Sequence, residues 1–267
     1  MTDAPGRYLS FDAVAEDYDR TRVIPPAILD DVVRACAREA RLSRGGLFLD
    51  AGVGTGRFAA PLAHLHPGRV VGLDISTAMM AQASEKAPPG GLSLIAGDLQ
   101  RLPLRGGVFA GALIVHILHL VERWRLVLDE LQRVLVPKTG VLLLGGDQGG
   151  RSALVDLYFE RARARGVLGH SLGTPGLTQA LAYLRRDARA RVEMLSLPYL
   201  KWKRAVPVAE TLAALERRTY SQIWDVPDSA HQALLAETQE YARRTLGGLN
   251  AAETLDTRFI LYAARWP

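Results

Sequence analysis

The chain has 267 residues, of which 48% are hydrophobic and 23% are charged, a composition typical of a soluble globular protein. Its single cysteine, Cys36, excludes an internal disulfide and a zinc site built on paired thiolates, and we expect no metal site. The formal net charge of +5 is compatible with an anionic partner, but the basic residues are interleaved with acids and form no block of about five like charges. We therefore interpret most of this charge as solvated helix faces, with a nucleic-acid partner as the minority alternative.

The most apolar stretch, residues 109–121, is interrupted by His116 and His119 and is shorter than the about 18 apolar residues of a membrane-spanning helix. The opening residues 1–20 carry acids where a secretory signal would have a basic end and an apolar run. These patterns predict no membrane span and a cytoplasmic protein.

Residues 27–41 carry an apolar stripe that includes Cys36, which predicts a helix with a buried structural thiol. From there to residue 146, short apolar runs alternate with helical patterns. The strand candidates are residues 47–51, 69–74, 92–98, 109–115 and 141–146. The helical patterns between them are residues 56–66, 76–86 and 121–135. Apolar strands alternating with helices predict a doubly wound α/β fold around a mostly parallel sheet.

The rest of the chain is mostly helical in pattern. Helices are expected at residues 150–165, 176–187, 207–218 and 229–245, and strands at 191–197 and 257–264. No Gly/Ser-rich linker separates a second fold, so we interpret residues 1–267 as one domain. Its expected parts are an N-terminal helical lid segment (1–46), a ligand-binding core (47–147), helical cap insertions (148–190 and 204–250) and a final strand (257–265).

A glycine-rich turn follows the first strand, in the sequence LFLDAGVGTGRF of residues 47–58. Such a turn lets a ligand approach the backbone and is, alone, a weak signal. The dinucleotide fingerprint requires a third small residue at position 57, but that residue is Arg57. The glycines are instead Gly52, Gly54 and Gly56.

Three carboxylates follow the first three strands, at Asp50, Asp74 and Asp98. Asp50 lies beside the glycine turn, where it would repel a pyrophosphate and attract a cation such as the ammonium and sulfonium of S-adenosylmethionine. Asp74 is placed to accept hydrogen bonds from ribose hydroxyls, a feature that dinucleotide enzymes share. Asp98 is placed to accept from an adenine amino group. The alternative is that these residues only cap helices and turns.

At these motifs the sequence resembles the class I, Rossmann-like S-adenosylmethionine-dependent methyltransferases, especially the small-molecule group that includes the quinone-biosynthesis C-methyltransferases. The resemblance covers about residues 10–146 and rests on LDAGVGTGRF, VVGLDISTAMM, IAGDLQRLPL and the segment after Phe109. It implies a seven-stranded sheet whose last strand is antiparallel, with S-adenosylmethionine as donor and S-adenosylhomocysteine as product. The implied donor-binding residues are Asp50, Gly52, Gly54, Gly56, Asp74, Ile75, Met79, Asp98, Leu99 and Val115. One departure is Pro137-Lys138-Thr139-Gly140, where relatives usually have Pro-Gly-Gly.

In relatives, the segment before the first strand folds over the donor, which maps onto Tyr18 and Arg22. Arg22 would then pair with the donor carboxylate. The alternative is an ordinary amphipathic helix with solvated arginines.

The acceptor side is less well defined by the sequence. His116 directly follows the fourth strand and is the candidate base or acceptor-orienting group, with His119 as a second candidate near it. The alternative is that both are core histidines, which is the more common case for an isolated histidine in an apolar segment. Tyr220 and Trp224, like Trp202, are candidates for an apolar acceptor pocket in the cap or for the core of that cap. We expect a small organic acceptor. The alternatives are a nucleic-acid base methyltransferase and a non-catalytic protein that binds the donor.

Overall fold

The computed structural model describes residues 23–169, 173, 176–197 and 200–267. Its α-helices are α1 (Pro26–Glu39), α2 (Ala59–Leu65), α3 (Thr77–Lys86), α4 (Trp124–Val134), α5 (Ala153–Ala164), α6 (Leu177–Arg186), α7 (Val208–Glu216) and α8 (Asp228–Thr245). Its strands are β1 (Leu47–Ala51), β2 (Val70–Asp74), β3 (Leu92–Ala96), β4 (Phe109–Val115), β5 (Val141–Gly149), β6 (Arg191–Met194), β7 (Lys201–Pro207) and β8 (Ala252–Arg265).

The described residues divide into two compact units. The first contains those in Met1–Gly146, Leu172–Leu200 and Ile260–Pro267, and the second those in Asp147–Ser171 and Lys201–Phe259. Each unit has its own buried apolar residues. The cap insertions expected from the sequence therefore correspond only in part to the second unit.

The strand order of the sheet is β3-β2-β1-β4-β5-β8-β6. The pairs β1–β2, β2–β3, β1–β4 and β4–β5 are parallel, and β8 runs antiparallel to β6. This path confirms the predicted doubly wound, mostly parallel sheet with an antiparallel last strand. It also brings the carboxyl ends of β1, β2, β3 and β4 to one edge, because parallel neighbours end on the same side.

An additional strand lies outside that path. β7 pairs antiparallel with the first half of β8, from Lys201 opposite Arg258 to Pro207 opposite Ala252. The sheet therefore has eight strands among the described residues, not the seven expected, and β8 begins five residues before the predicted residue 257. Trp202, a candidate for the acceptor pocket or for the core of the cap, lies on β7.

The helices agree with the predicted ones except at two points. α4 begins at Trp124, so residues 116–123, including His119, are not helical. Val121, the first residue of the helical pattern predicted at 121–135, is nevertheless buried with Trp124 and Leu128 in the core of the first unit.

α6 is the second difference, because it was expected within a cap insertion. Ala180 and Leu184 on this helix are fully buried in the same core as α4. α6 thus covers the first unit with its apolar stripe, as an amphipathic helix does when a sheet and a neighbouring helix are available to it. Cys36 on α1 is fully buried, as predicted, and burial raises the pKa of its thiol above the usual range.

Candidate active site

A cavity of the first unit opens at the carboxyl edge of the sheet, where open α/β sheets bind ligands. It is lined by ten residues that the sequence predicted: Asp50, Gly52, Gly54, Asp74, Ile75, Met79, Asp98, Leu99, Val115 and His116. They come from the ends of four strands and the segments that follow. The fold therefore brings together residues that are up to 66 positions apart, from 50 to 116, in the sequence.

The glycine turn has two functions in the structure. Gly54 has a φ of 52°, and a Cβ added there would meet no atom within 4 Å, so the backbone leaves open space at the cavity. Gly56 instead allows close packing, because its added Cβ would lie 2.8 Å from the Cβ of Ala83 on α3. Gly56, predicted to bind the donor, is not one of the described residues that line the cavity. Its small size instead allows the close packing against α3.

Asp74 is held at the end of β2 by two backbone donors. The Gly54 N–H donates to Oδ2 at 2.8 Å and the Ser76 N–H donates to Oδ1 at 2.9 Å. A carboxylate has about four acceptor positions, so a carboxylate held in this way is of a kind that can also accept from ribose hydroxyls. Ser76 also caps α3, since its Oγ accepts from the Met79 N–H at 3.1 Å. The sequence thus folds locally so that both the carboxylate and Met79 face the cavity.

Asp50 is only 4% exposed and lies next to a second carboxylate. Burial, and then the charge of Asp74, raise its pKa to about 7; the positive charge of Arg57 and a hydrogen bond from the Ala59 N–H act in the opposite direction. A cation that enters the cavity would favour the ionised form of Asp50. The site is therefore electrostatically suited to a positively charged ligand.

Asp98 lies just beyond β3 and is oriented by Gln100. The Gln100 N–H donates to Oδ1 at 2.8 Å, and the side-chain amide donates to both oxygens at 3.2 Å. Leu99 beside it is 7% exposed and supplies an apolar wall to the cavity. A carboxylate next to an apolar surface is suited to an adenine ring and its amino group.

His116 follows β4 directly, as predicted, and lines the cavity. Its backbone φ is 56°, in the left-handed region. The ring lies next to β5, because a Cβ added to Gly146 would be 3.6 Å from its Cε1 atom. A Cβ at that position would be in ordinary van der Waals contact with the imidazole, so the ring packs beside β5 at the edge of the sheet.

Several predicted residues lie elsewhere. His119 does not line the cavity, and its carbonyl accepts a hydrogen bond from the Gly173 N–H at 3.1 Å. Tyr220 and Trp224 belong to the second unit: the Tyr220 ring packs edge-on against Phe159 at 5.8 Å, and Trp224 donates to the Arg218 carbonyl at 2.7 Å. These contacts fit the alternative that the aromatic residues form part of a core. Tyr18 and Arg22 fall outside the described residues.

The cavity also contains residues that the sequence did not indicate as ligand-binding. They include Val53, Thr55, Arg57, Phe58, Ser76, Ile117, Leu120 and Val121. Arg57 and Phe58 had a usable signal, because they directly follow the glycine turn, and Arg57 is a charged residue at the position where the dinucleotide fingerprint has a small one. Leu120 and Val121 had none, since an apolar residue after a strand is equally typical of a core.

No group of three or more potential metal ligands occurs among the described residues. Within the same part of the chain, no helix combines the length and apolarity needed to cross a bilayer.

The methyltransferase domain family matches residues 49–144 of the chain. The ubiquinone/menaquinone biosynthesis C-methyltransferase UbiE of Syntrophotalea carbinolica is 33% identical over 162 residues, which are 59% of this chain and 68% of that protein. The demethylmenaquinone methyltransferase of Chlamydia pneumoniae is 32% identical over 146 residues, 54% of this chain and 63% of that protein. A solved structure from Bacillus halodurans C-125 has a TM-score of 0.58 at 18% identity and covers 88% of this chain and 98% of its own; it shows the fold alone.

These matches fall on the segments that build the cavity. The matched family segment begins within β1 and ends within β5, so it contains the glycine turn, Asp50, Asp74, Asp98 and His116. The open space at Gly54 and the acceptor capacity of Asp74 fit a nucleoside donor, and buried Asp50 fits its positive charge. The chain belongs to the class I, Rossmann-like S-adenosylmethionine-dependent methyltransferases, in the group that resembles the quinone-biosynthesis enzymes, with S-adenosylmethionine as its methyl donor and S-adenosylhomocysteine as its product.

Proposed function

We propose that the protein transfers the methyl group to a small organic acceptor by in-line displacement in this cavity. The observation that carries the proposal is the alignment of Asp98, Asp74, Asp50 and His116 on the ends of the neighbouring strands β3, β2, β1 and β4. Neighbouring strands are about 4.8 Å apart, so an extended nucleoside ligand along Asp98, Asp74 and Asp50 would end near His116.

Each residue then has a chemical role. Asp98 accepts from the adenine amino group beside Leu99, Asp74 accepts from the ribose hydroxyls, and Asp50 faces the positive charges of the donor. Bound S-adenosylmethionine supplies a methyl group already activated by its sulfonium. The protein's main task is to align the acceptor with that methyl group and to exclude water.

His116 is proposed as the base or as a group that orients the acceptor. When the acceptor atom forms its bond to the methyl carbon, the carbon–sulfur bond breaks and the sulfonium becomes a neutral thioether. An acceptor that must lose a proton needs a base within hydrogen-bond reach, and an imidazole at the edge of the sheet can take it. Ile117, Leu120 and Val121 provide apolar surface for the organic part of the acceptor.

The cofactor part of the proposal is tested by calorimetric titration with S-adenosylmethionine, S-adenosylhomocysteine and NAD, for the wild type and Asp74→Ala. We expect the first two to bind, NAD not to bind, and Asp74→Ala to lose binding because the ribose partner is removed. Asp129→Ala is a matched control, since Asp129 accepts from Tyr183 and does not line the cavity. NAD binding, or donor binding that survives in Asp74→Ala, would contradict the proposed roles of the carboxylates.

The acceptor is tested by methyl transfer from radiolabelled donor. Because the two relatives are named for quinone and demethylmenaquinone methylation, demethylmenaquinone in its reduced form is the first acceptor to test, followed by small phenols and amines. We expect label in a small organic product and none in total RNA. Label in RNA, or donor binding without turnover of any acceptor, would support the nucleic-acid or the non-catalytic alternative instead.

A further inference from the structure

Arg57 is a positive charge in a cavity that otherwise presents carboxylates. It lines the cavity together with Asp50, and its charge is close enough to Asp50 to oppose the rise in that carboxyl's pKa. The guanidinium lies over the Phe58 ring, with its central carbon 4.9 Å from the ring centroid. Such stacking restricts the long side chain before any ligand arrives.

The order of residues along the sheet indicates which part of the donor lies at the end of the cavity that contains Asp50 and Arg57. Under the proposed function, Asp98 and Asp74 take the adenine and the ribose, and β1 is the next strand in the sheet after β2. Two strand spacings separate β3 from β1, or about 10 Å. The methionine part of the donor therefore lies beside Asp50 and Arg57.

The methionine part is a zwitterion, with an α-ammonium and an α-carboxylate on the same carbon. A site that contained only Asp50 would attract the ammonium but leave the carboxylate close to two acidic side chains. Arg57 corrects this imbalance, because a guanidinium offers a planar pair of donors that matches a carboxylate. The presence of both signs of charge at one end of the cavity is thus complementary to a free amino acid group.

We infer that Asp50 and Arg57 form a zwitterion-recognition pair, in which Asp50 binds the α-ammonium of the donor and Arg57 binds its α-carboxylate. The inference rests on the proposed binding of S-adenosylmethionine in this cavity. It assigns the carboxylate to a residue that follows the glycine turn, whereas the family resemblance assigns it to Arg22.

The test compares three ligands that share the adenosine group. S-adenosylmethionine has both charged groups, decarboxylated S-adenosylmethionine lacks only the carboxylate, and 5′-methylthioadenosine lacks the whole amino acid group and has a neutral thioether in place of the sulfonium. The proteins are the wild type, Arg57→Gln and Arg34→Gln, the last being an exposed arginine on α1 that controls for the loss of one charge. Dissociation constants are measured by calorimetry at one ionic strength.

We expect the wild type to bind S-adenosylmethionine about 10- to 100-fold more tightly than its decarboxylated form, the range for a hydrogen-bonded charge pair. Arg57→Gln should lose this preference and bind the two ligands about equally, while its affinity for 5′-methylthioadenosine stays at the wild-type value. Arg34→Gln should keep the full preference. Arg57→Lys, which keeps the charge without the planar donors, should show an intermediate preference.

An unchanged preference in Arg57→Gln would overturn the inference, and its loss in Arg22→Gln alone would assign the carboxylate to Arg22. A wild type that binds 5′-methylthioadenosine but shows no preference between the two larger ligands would also overturn it. A wild type that binds none of the three would count against the proposed function itself. Binding of 5′-methylthioadenosine by Arg57→Gln serves as the check that this variant is folded.

Discussion

His116 combines an unfavourable backbone conformation with a position at the cavity. Its φ of 56° belongs to a region that side chains other than glycine adopt at a cost, and such residues are often found where function requires a particular orientation. The sequence placed His116 after the fourth strand but contained no signal for this conformation. The strain is consistent with a residue whose direction matters more than its local stability.

Replacing His116 with Gln should therefore lower kcat by about 100-fold or more if the imidazole takes the acceptor's proton. Binding of S-adenosylhomocysteine should not change, because the donor residues remain. Steady-state kinetics across pH and a calorimetric titration provide the two measurements. A variant with the wild-type kcat and pH profile would indicate that His116 is only a packing residue.

The raised pKa of Asp50 predicts a pH dependence of the protein's stability. Its pKa in the folded protein is raised from 3.8 to about 7, so the folded state holds the proton more tightly than the unfolded chain does. The associated stabilisation is present below the unfolded pKa and is lost as the pH rises through the folded pKa. Ionised Asp50 therefore destabilises the donor-free protein at pH 8.

Asp50→Asn should remove this effect. Without ligand, the melting temperature of the variant minus that of the wild type should be larger at pH 8 than at pH 5, because only the wild type carries a buried charge at the higher pH. Thermal melts of both proteins at the two pH values measure this. If the difference in melting temperature between the two proteins is the same at pH 5 and pH 8, Asp50 does not titrate between these pH values.

At the scale of elements, the turn between α4 and β5 illustrates a local conflict that the fold tolerates. Lys138 has a φ of 65° in this turn, and the Gly140 N–H closes it by donating to the Val136 carbonyl at 2.8 Å. Relatives usually have glycine in this part of the turn, where a left-handed conformation carries no steric penalty. Lys138, which stands where relatives usually have glycine, thus adopts a left-handed conformation that is sterically unfavourable for a residue with a Cβ.

Lys138→Gly should stabilise the protein, by up to about 1 kcal/mol, because the left-handed penalty of a residue with a Cβ is removed. Lys138→Ala is the matched control: it removes the same charge and keeps the Cβ, so it should bring no such gain. Chemical denaturation of the three proteins gives the comparison. Equal gains in both variants would attribute the effect to the charge.

The elements that the sequence predicted well are those with a simple pattern. β1 and β4 have the predicted bounds, because each is a short apolar run whose residues are buried in a parallel sheet. β7 was missed, because exposed Lys201 and Lys203 alternate with half-buried Trp202 and Arg204, and its charges are typical of a solvated segment. The alternation itself was the available signal, since a period of two indicates a strand.

At the scale of the whole molecule, the positive net charge does not indicate a single cationic surface. Many of the arginines of the described residues lie within ion-pair distance of acids, as in the pairs Arg165–Glu237, Arg218–Asp228 and Arg265–Glu39. Such pairing reduces the local field that a nucleic acid would meet. Part of the basic charge is thus compensated locally by neighbouring acids.

We accordingly predict that mixed RNA does not bind at low ionic strength, where electrostatic association would be strongest. A gel-shift titration at about 50 mM salt, with a basic RNA-binding protein as positive control, measures this. A shift that weakens steeply with added salt would contradict the prediction and revive the nucleic-acid alternative.

By itself, the sequence determined the class of fold and the kind of donor. Apolar runs, helical periodicity and the residues at strand ends are local properties, and they were sufficient to indicate the parallel sheet, the glycine turn and the acids Asp50, Asp74 and Asp98. The family resemblance added the order of the motifs and the antiparallel last strand.

Only the tertiary structure decided which of these residues meet. It placed Arg57 beside Asp50, assigned Gly56 to the packing of α3, and packed Tyr220 against a core of the second unit. Burial and the distance between charges depend on contacts between segments far apart in the chain, and these contacts set the raised pKa of Asp50. Local patterns carry no information on such contacts, so the acidic character of the candidate site was visible in the sequence while the burial and raised pKa of Asp50 were not.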